Sequence, residues 1–241
     1  MNLVIDIGNN STKFFFFQGK DLILKGRREG CSLNFIDEYA KQFEIEGVIV
    51  SSVVELSNED KSQIESICNS VIWFSSGTKM PISINYRTPE TLGSDRLAAV
   101  IGAQSEAPGH DILVIDAGSA ITIDFINAEG CFLGGNISPG VKMRLTALHN
   151  YTDKLPLIKK EGDAPSLGYN TETAIRSGVI QGICHEIDGY INEMRGKYPN
   201  LLVFLTGGDE KTLINNIKNR IFADKLLVAK GLNRILTEHG I

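Results

Sequence analysis

Residues 3–16 read LVIDIGNNSTKFFF, and residues 113–126 read LVIDAGSAITIDFI. At a constant offset of 110, Leu3, Val4, Ile5, Asp6, Gly8, Thr12 and Phe15 fall on Leu113, Val114, Ile115, Asp116, Gly118, Thr122 and Phe125. Unrelated strands share apolar positions by chance, but not an Asp-x-Gly turn and a threonine together. The pair therefore predicts an internal duplication. Each copy passes from an apolar strand through Asp-x-Gly into a second strand, 12–17 or 122–126. A glycine turn (Gln18-Gly19-Lys20; Glu129-Gly130) and a third strand follow, which is hairpin chemistry. Each half later holds a further apolar strand: 47–54, GVIVSSVV, and 201–205, which runs into Thr206-Gly207-Gly208-Asp209. Helical patterning marks 32–43, 58–69, 93–107 and 171–198. The least patterned stretch near the middle is Ala107-Pro108-Gly109-His110. It divides the chain into an N-terminal domain, 1–108, and a C-terminal domain, 109–241. The expected fold is α/β, two domains of like plan with a cleft between them.

Composition excludes several alternatives. The 241 residues are 42% apolar and 22% charged, which is globular rather than disordered, collagen-like or coiled-coil. Net charge is −5 with no basic run, so a nucleic-acid surface is not expected, although a local basic pocket for a small anion is allowed. Cys31, Cys68, Cys131 and Cys184 form no CxxC pair and the four histidines are scattered. That speaks against tetrahedral zinc and for reduced, mostly buried thiols. The start, MNLVIDIGNN, has no basic lead and is broken by Asp6, so it reads as a first strand. No run of ~18 apolar residues exists to span a membrane, and a cytoplasmic protein is expected.

The paired turns carry the chemistry. Glycine gives the backbone its freedom, and Asn9, Asn10, Ser11 and Thr12 supply donors. Such a turn aims N–H groups at one spot and holds phosphate oxygens. Two of them facing one cleft would cradle a triphosphate, with Asp6 and Asp116 toward its cation and Lys13 adding charge. Neither GxxxxGK[ST] nor GxGxxG is present, so a P-loop and a dinucleotide fold find no support.

A second cluster is YRTPETLGSDRLAA, residues 86–99. Tyr86 ends an alternating strand from Ile82, and Gly93-Ser94-Asp95-Arg96 stands where a helix begins. Asp there is an ordinary capping residue. With Arg96 beside it, the pair could also hold an acidic substrate and accept its proton. Gly134-Gly135-Asn136-Ile137-Ser138-Pro139-Gly140 reads as a glycine-rich loop ahead of a helix with Lys142 and Arg144.

Together these blocks resemble the type III pantothenate kinases, of the actin/hexokinase/sugar-kinase superfold. The resemblance runs through Asp6-Ile7-Gly8-Asn9, Ser51-Ser52-Val53-Val54, Gly93-x-Asp95-Arg96 and Asp116-Ala117-Gly118-Ser119-Ala120-x-Thr122-x-Asp124. It continues through Gly134-Gly135-x-Ile137-x-Pro139-Gly140, Asn170-Thr171-x-x-Ala174-Ile175-x-x-Gly178 and Thr206-Gly207-Gly208-Asp209. It implies duplicated ribonuclease-H-like (actin-like ATPase) domains flanking a nucleotide cleft, and transfer of phosphate from ATP to the 4′-hydroxyl of pantothenate, the first committed step toward coenzyme A. It further implies that Asp6, Ile7, Gly8, Asn9, Asn10, Ser11, Thr12 and Lys13 form the ATP-phosphate turn, with Asp6 holding hydrated magnesium. Ser119 would also meet ATP, and Asp116 would bind the monovalent cation, potassium or ammonium. Asp95 would be the base, with Tyr86, Gly93, Ser94, Asp95, Arg96 and Thr171 around pantothenate and Arg96 paired with its carboxylate. It implies a homodimer whose pantothenate pocket is partly built by the second subunit. Two positions depart from the family pattern: Asn10 and Ser119 each replace a usual threonine. The rivals are another kinase of this superfold and a non-catalytic regulatory relative. The 93–96 cluster with Tyr86 argues against the first, and Asp6, Asp95 and Asp116 together against the second.

Overall fold

Runs rich in valine, isoleucine and phenylalanine become strands because branched and aromatic side chains fit a pleated, buried surface. The computed structural model describes residues 1–8, 11–30, 33 and 36–240. Asn9, Asn10 and Cys31 lie outside the described residues. In chain order the elements are β1 (Asn2–Ile7), β2 (Ser11–Gln18), β3 (Asp21–Glu29), α1 (Ile36–Ala40), β4 (Gly47–Ser52), α2 (Asn58–Glu65), β5 (Val71–Trp73), β6 (Ser83–Ile84) and α3 (Ser94–Glu106). There follow β7 (Ile112–Ala117), β8 (Ala120–Ile126), β9 (Cys131–Pro139), α4 (Val141–Asn150), α5 (Thr171–Lys197), β10 (Leu202–Thr206), α6 (Glu210–Leu213), β11 (Phe222–Ala223) and α7 (Leu227–Glu238).

The chain packs as two units, Met1–Pro108 with Gly130–Phe132 and Leu226–Ile241, and Gly109–Glu129 with Leu133–Lys225. The first sheet has the order β3-β2-β1-β4-β5. β2 is antiparallel to β1 and to β3, whereas β4 is parallel to β1 and β5 to β4. The second unit repeats this as β9-β8-β7-β10-β11, with β8 antiparallel to β7, β10 parallel to β7 and β11 parallel to β10. This is the expected duplication. One detail differs. Ile5 stands opposite Phe14, and its counterpart Ile115 opposite Ile123, so beyond the turn the structural offset is 109. Two residues separate Gly8 from Ser11, but only Ser119 separates Gly118 from Ala120. The counterpart of Lys13 in the second unit is therefore Thr122, and the Thr12/Thr122 and Phe15/Phe125 matches are coincidental.

Strand alternation sorts each sheet into two faces. Leu3, Ile5 and Ile7 pack with Phe14, Phe16, Val48 and Val50 against Leu33, Ile36 and Ile64. Asn2, Val4 and Asp6 face the other way, where α7 packs on β1 and β4 and the Asn2 amide donates to Asn233 at 3.0 Å. In the second unit Leu113, Ile115 and Ala117 join Ile175, Val179, Ile183 and Ile187 of α5 in the core, which leaves Asp116 on the opposite face. The two aspartates thus occupy equivalent faces of equivalent strands.

Four expectations are revised. The 109–241 domain loses its end to the first unit, because α7 packs on α3 through paired glycines. A Cβ on Gly231 would stand 1.8 Å from the Ala98 carbonyl oxygen, and one on Gly102 2.0 Å from that of Leu227. The 32–43 helix shrinks to α1 within the described residues, and α2 starts under a Ser57 cap whose Oγ accepts from Asp60 N–H at 3.1 Å. The 134–140 stretch is strand, not loop: β9 runs through Pro139, and its glycines are tolerated at partly exposed positions. Of the described thiols only Cys184 is buried, whereas Cys68 and Cys131 are half-buried. Among the described residues no helix is long and apolar enough to cross a membrane.

Candidate functional site

At the end of β1, Asp6 lies opposite Lys13 on β2, and Lys13 Nζ pairs with its carboxylate at 3.2 Å. Gly8 N–H donates to the Ser11 carbonyl at 3.0 Å and closes the turn. On the other side of β1, Ser51 of β4 stands level with Asp6, and Ser51 Oγ lies 3.0 Å from Ser94 Oγ. Ser94 opens α3, so this contact links β4, the strand beside the one carrying Asp6, to the helix start carrying Asp95.

The start of α3 has no side-chain cap, and Gly93 occupies the N-cap. The Asp95 carboxylate accepts from Arg96 N–H at 2.9 Å, and a Cβ on Gly93 would come within 2.6 Å of it. Glycine is what leaves space for that carboxylate. The positive end of the helix dipole favours a negative charge here. Arg96 is buried, with its guanidinium 6.0 Å above the Phe132 ring, and Tyr86 meets Phe132 edge-on at 6.0 Å. Phe132 is absent from the sequence reading because it lies far along the chain and carries no motif.

The second turn is enclosed by backbone. Gly118 N–H donates to the Ala120 carbonyl at 3.0 Å, Gly140 N–H to Ser119 at 3.1 Å, and Asp209 N–H to Ala117 at 2.9 Å. A Cβ on Gly140 would stand 2.3 Å from the Gly118 carbonyl oxygen, and one on Gly207 2.4 Å from that of Ala117. The same position at Gly207 is 2.5 Å from Asp116 Oδ1, so the Asp116 carboxylate rests against that glycine. Arg144 holds the approach: Nε donates to the Pro139 carbonyl at 2.7 Å, and Nη2 pairs with Glu186 at 2.5 Å. Gly140, Gly207 and Asp209 stood in quoted blocks without a role, and only the folded contacts assign one.

The structure places Asp6, Lys13, Tyr86, Gly93, Ser94, Asp95 and Arg96 in the first unit, and Asp116, Ser119 and Thr171 in the second. Ser119 is exposed, as is Thr171, the first residue of α5 behind the Asn170 capping box. Two residues of the expected ATP turn direct their side chains inward. Thr12 is fully buried and its hydroxyl donates to the Gly30 carbonyl at 3.0 Å. Ile7 sits in the core, and its carbonyl accepts from Val53 N–H at 3.0 Å. Asn9 and Asn10 lie outside the described residues.

Two buried groups with perturbed pKa lie elsewhere, on α5. Burial pushes the Asp188 carboxyl up, but bonds from the Asn219 side chain and the backbone N–H groups of Lys218 and Asn219 outweigh it and hold it below the ordinary range. It borders a cavity of about 430 Å³ shared with His185, Asn192 and Lys218. Burial first, and the charge of Asp188 second, push the Cys184 thiol up to about 12, which makes it unreactive. Among the described residues no three His, Cys, Asp or Glu side chains are grouped to hold a metal.

Two sheets of one plan, each opened by an Asp-x-Gly turn, place the chain in the fold class shared by actin-like ATPases and sugar kinases. A Campylobacter jejuni chain put forward as a Baf family transcriptional activator is similar, with TM-score 0.64 and 24% identity over 99% of this chain and 98% of that one. So is a Listeria monocytogenes chain put forward as an N-acetylmannosamine kinase, with TM-score 0.59 and 12% identity over 100% and 99%. At these identities the likeness is one of fold. The profile of the family described as Type III pantothenate kinase matches residues 2–193. A Phocaeicola vulgatus protein of that name is 48% identical over 237 residues, 98% of each chain. The chain belongs to the type III pantothenate kinase family, a family of phosphotransferases.

Proposed function

We propose that the chain transfers the γ-phosphoryl group of ATP to the 4′-hydroxyl of pantothenate, the step that opens coenzyme A biosynthesis. The observation that carries this reading is the Ser51–Ser94 contact, which ties β4, the strand level with Asp6, to the helix start that carries Asp95. The Asp6 turn and the base thereby stand on neighbouring elements of one unit.

In the reaction, the pantothenate oxygen forms a bond to the γ-phosphorus while the bond to the β,γ-bridging oxygen breaks, and ADP leaves with that electron pair. Asp95 orients the hydroxyl and takes its proton. The backbone of the Asp6 turn and Lys13 meet the phosphates, and Lys13 exchanges its Asp6 partner for phosphate oxygen. Asp6 would hold the magnesium that accompanies ATP, which when bound would neutralise charge on the phosphates. Asp116, whose carboxylate rests against Gly207, would hold the monovalent cation, potassium or ammonium. Ser119 meets ATP, and Thr171, Tyr86 and the 93–96 segment meet pantothenate. Arg96, seated on Phe132, is pre-ordered for the pantothenate carboxylate. Positioning and charge neutralisation of this kind suffice for phosphoryl transfer.

The reading includes a homodimer and a cytoplasmic setting, checked by sedimentation and by cell fractionation. The decisive assay is ATP-dependent phosphorylation of pantothenate, with and without potassium. Transfer to a sugar instead, or no transfer at all, would refute the assignment.

A further inference from the structure

Asp209, the last residue of Thr206-Gly207-Gly208-Asp209, has no part in the chemistry above. It is 8% exposed, and its N–H bonds the Ala117 carbonyl at 2.9 Å, between Asp116 and Gly118. Its carboxylate is bound by Lys160 Nζ. Lys160 belongs to the irregular segment 151–170 that joins α4 to α5. That segment is clamped by Arg176 of α5, itself 3% exposed. Arg176 Nε donates to the Lys159 carbonyl and Nη1 to that of Asp163, each at 3.1 Å, while Nη2 pairs with Glu172 in the first turn of α5. Gly162 lies flat on the guanidinium, where a Cβ would come within 3.0 Å of it.

These bonds form one connected path within the second unit. It runs from the start of α5, through Glu172 and Arg176, along residues 159–163, across Lys160 to Asp209, and into the second turn. Lys160 supplies its ionic step to the turn. An exposed pair such as Lys197–Glu193 can part at little cost, because water replaces each partner. Asp209 has little such recourse. A buried carboxylate deprived of its cation must turn toward water, and its own N–H is the group that holds Ala117.

We propose that Lys160 is a positioning residue for the Asp116 turn, which it sets through Asp209 and couples to the start of α5 where Thr171 stands. This rests on the assignment of that turn to ATP and the monovalent cation, and of Thr171 to pantothenate. The consequence is a thermodynamic coupling: pantothenate and nucleotide each strengthen binding of the other, by the same factor.

The test measures binding of a non-hydrolysable ATP analogue by calorimetry, in potassium, with and without pantothenate. Lys160→Met is expected to weaken analogue binding about tenfold and to remove the pantothenate-dependent gain, the scale of perturbation seen along coupled networks. Turnover at saturating ATP and potassium should stay within about twofold, a split between KM and kcat. Lys160→Arg should restore coupling. Asp209→Asn should match Lys160→Met, and the double variant should be no worse than either. Analogue affinity and coupling unchanged in a folded Lys160→Met protein, or fully additive effects in the double variant, would overturn the proposal. Failure of the unmodified protein to phosphorylate pantothenate would strike the functional reading instead, which the direct assay separates from the binding results.

Discussion

Replacing Gly207 by alanine tests whether the second turn is built as described. Gly207 has φ of 98°, a conformation costly for any residue with a Cβ. The new methyl would lie 2.4 Å from the Ala117 carbonyl oxygen and 2.5 Å from Asp116 Oδ1, where ordinary contact begins near 3.4 Å. Each contact must therefore open by about 1 Å in a region closed by the Asp209–Ala117 bond. Left-handed strain costs roughly 1–2 kcal/mol and overpacking roughly 1–3 kcal/mol, together about 2–5 kcal/mol. At roughly 2–4 °C per kcal/mol for a chain of this size, the melting temperature should fall by about 4–20 °C. The Asp116 carboxylate, displaced by about 1 Å, should also lose the hold on potassium proposed for it, with turnover reduced on the order of 10²-fold. Thermal unfolding by circular dichroism and pantothenate phosphorylation across a potassium titration measure the two effects. Gly208 supplies the control: a Cβ there meets nothing within 4 Å, so Gly208→Ala should leave melting within about 1 °C of the unmodified protein. Unchanged melting and potassium response in Gly207→Ala would refute this account of the turn.

Three further outcomes are expected. Asp95→Asn should lower turnover by ~10²-fold or more while keeping the fold and nucleotide binding, as loss of a general base does; near-normal turnover would remove Asp95 from that role. Sodium in place of potassium should lower activity, and Asp116→Asn should abolish the difference; equal rates of the unmodified enzyme in both salts would count against the cation site. Asp188 accepts three hydrogen bonds that hold the 218–219 backbone, so Asp188→Ala should cost about 2–3 kcal/mol near neutral pH in urea unfolding. Because its folded pKa is depressed, this stability is present above the unfolded carboxylate value near ~4 and is lost as pH falls through the folded value. The gap between variant and parent should then close in acid, and a gap that is constant with pH would contradict it.

Legibility followed locality. The Asp-x-Gly turns, the start of α3 and the start of α5 were readable because each is decided by a few neighbouring residues. The register beyond the turn was not. Thr12 matches Thr122 in letters, yet the two ladders make Lys13 the counterpart of Thr122, since one turn is a residue longer. That shift gives Asp6 a lysine across the strand and Asp116 a threonine. The burial of Arg96 on Phe132 and the enclosure of the second turn by Gly140 and Gly207 are contacts between distant segments. A single glycine in a sequence does not disclose which backbone comes to rest against it.

The return of α7 to the first unit has a consequence for biosynthesis. Translation releases the chain from its N-terminus, so the first unit is begun first yet finished last. At ~5–20 residues per second, residues 109–226 take roughly 6–24 s to emerge. Throughout that interval the face of α3 containing Ala98 and Gly102 lacks the helix that covers it. The second unit, contiguous apart from the start of β9, has every segment it needs before then. A nascent chain arrested ahead of residue 227 should therefore carry a folded second unit beside an unfinished first one, with an apolar surface open to chaperones. Expression of 1–108 alone would make that unfinished state permanent.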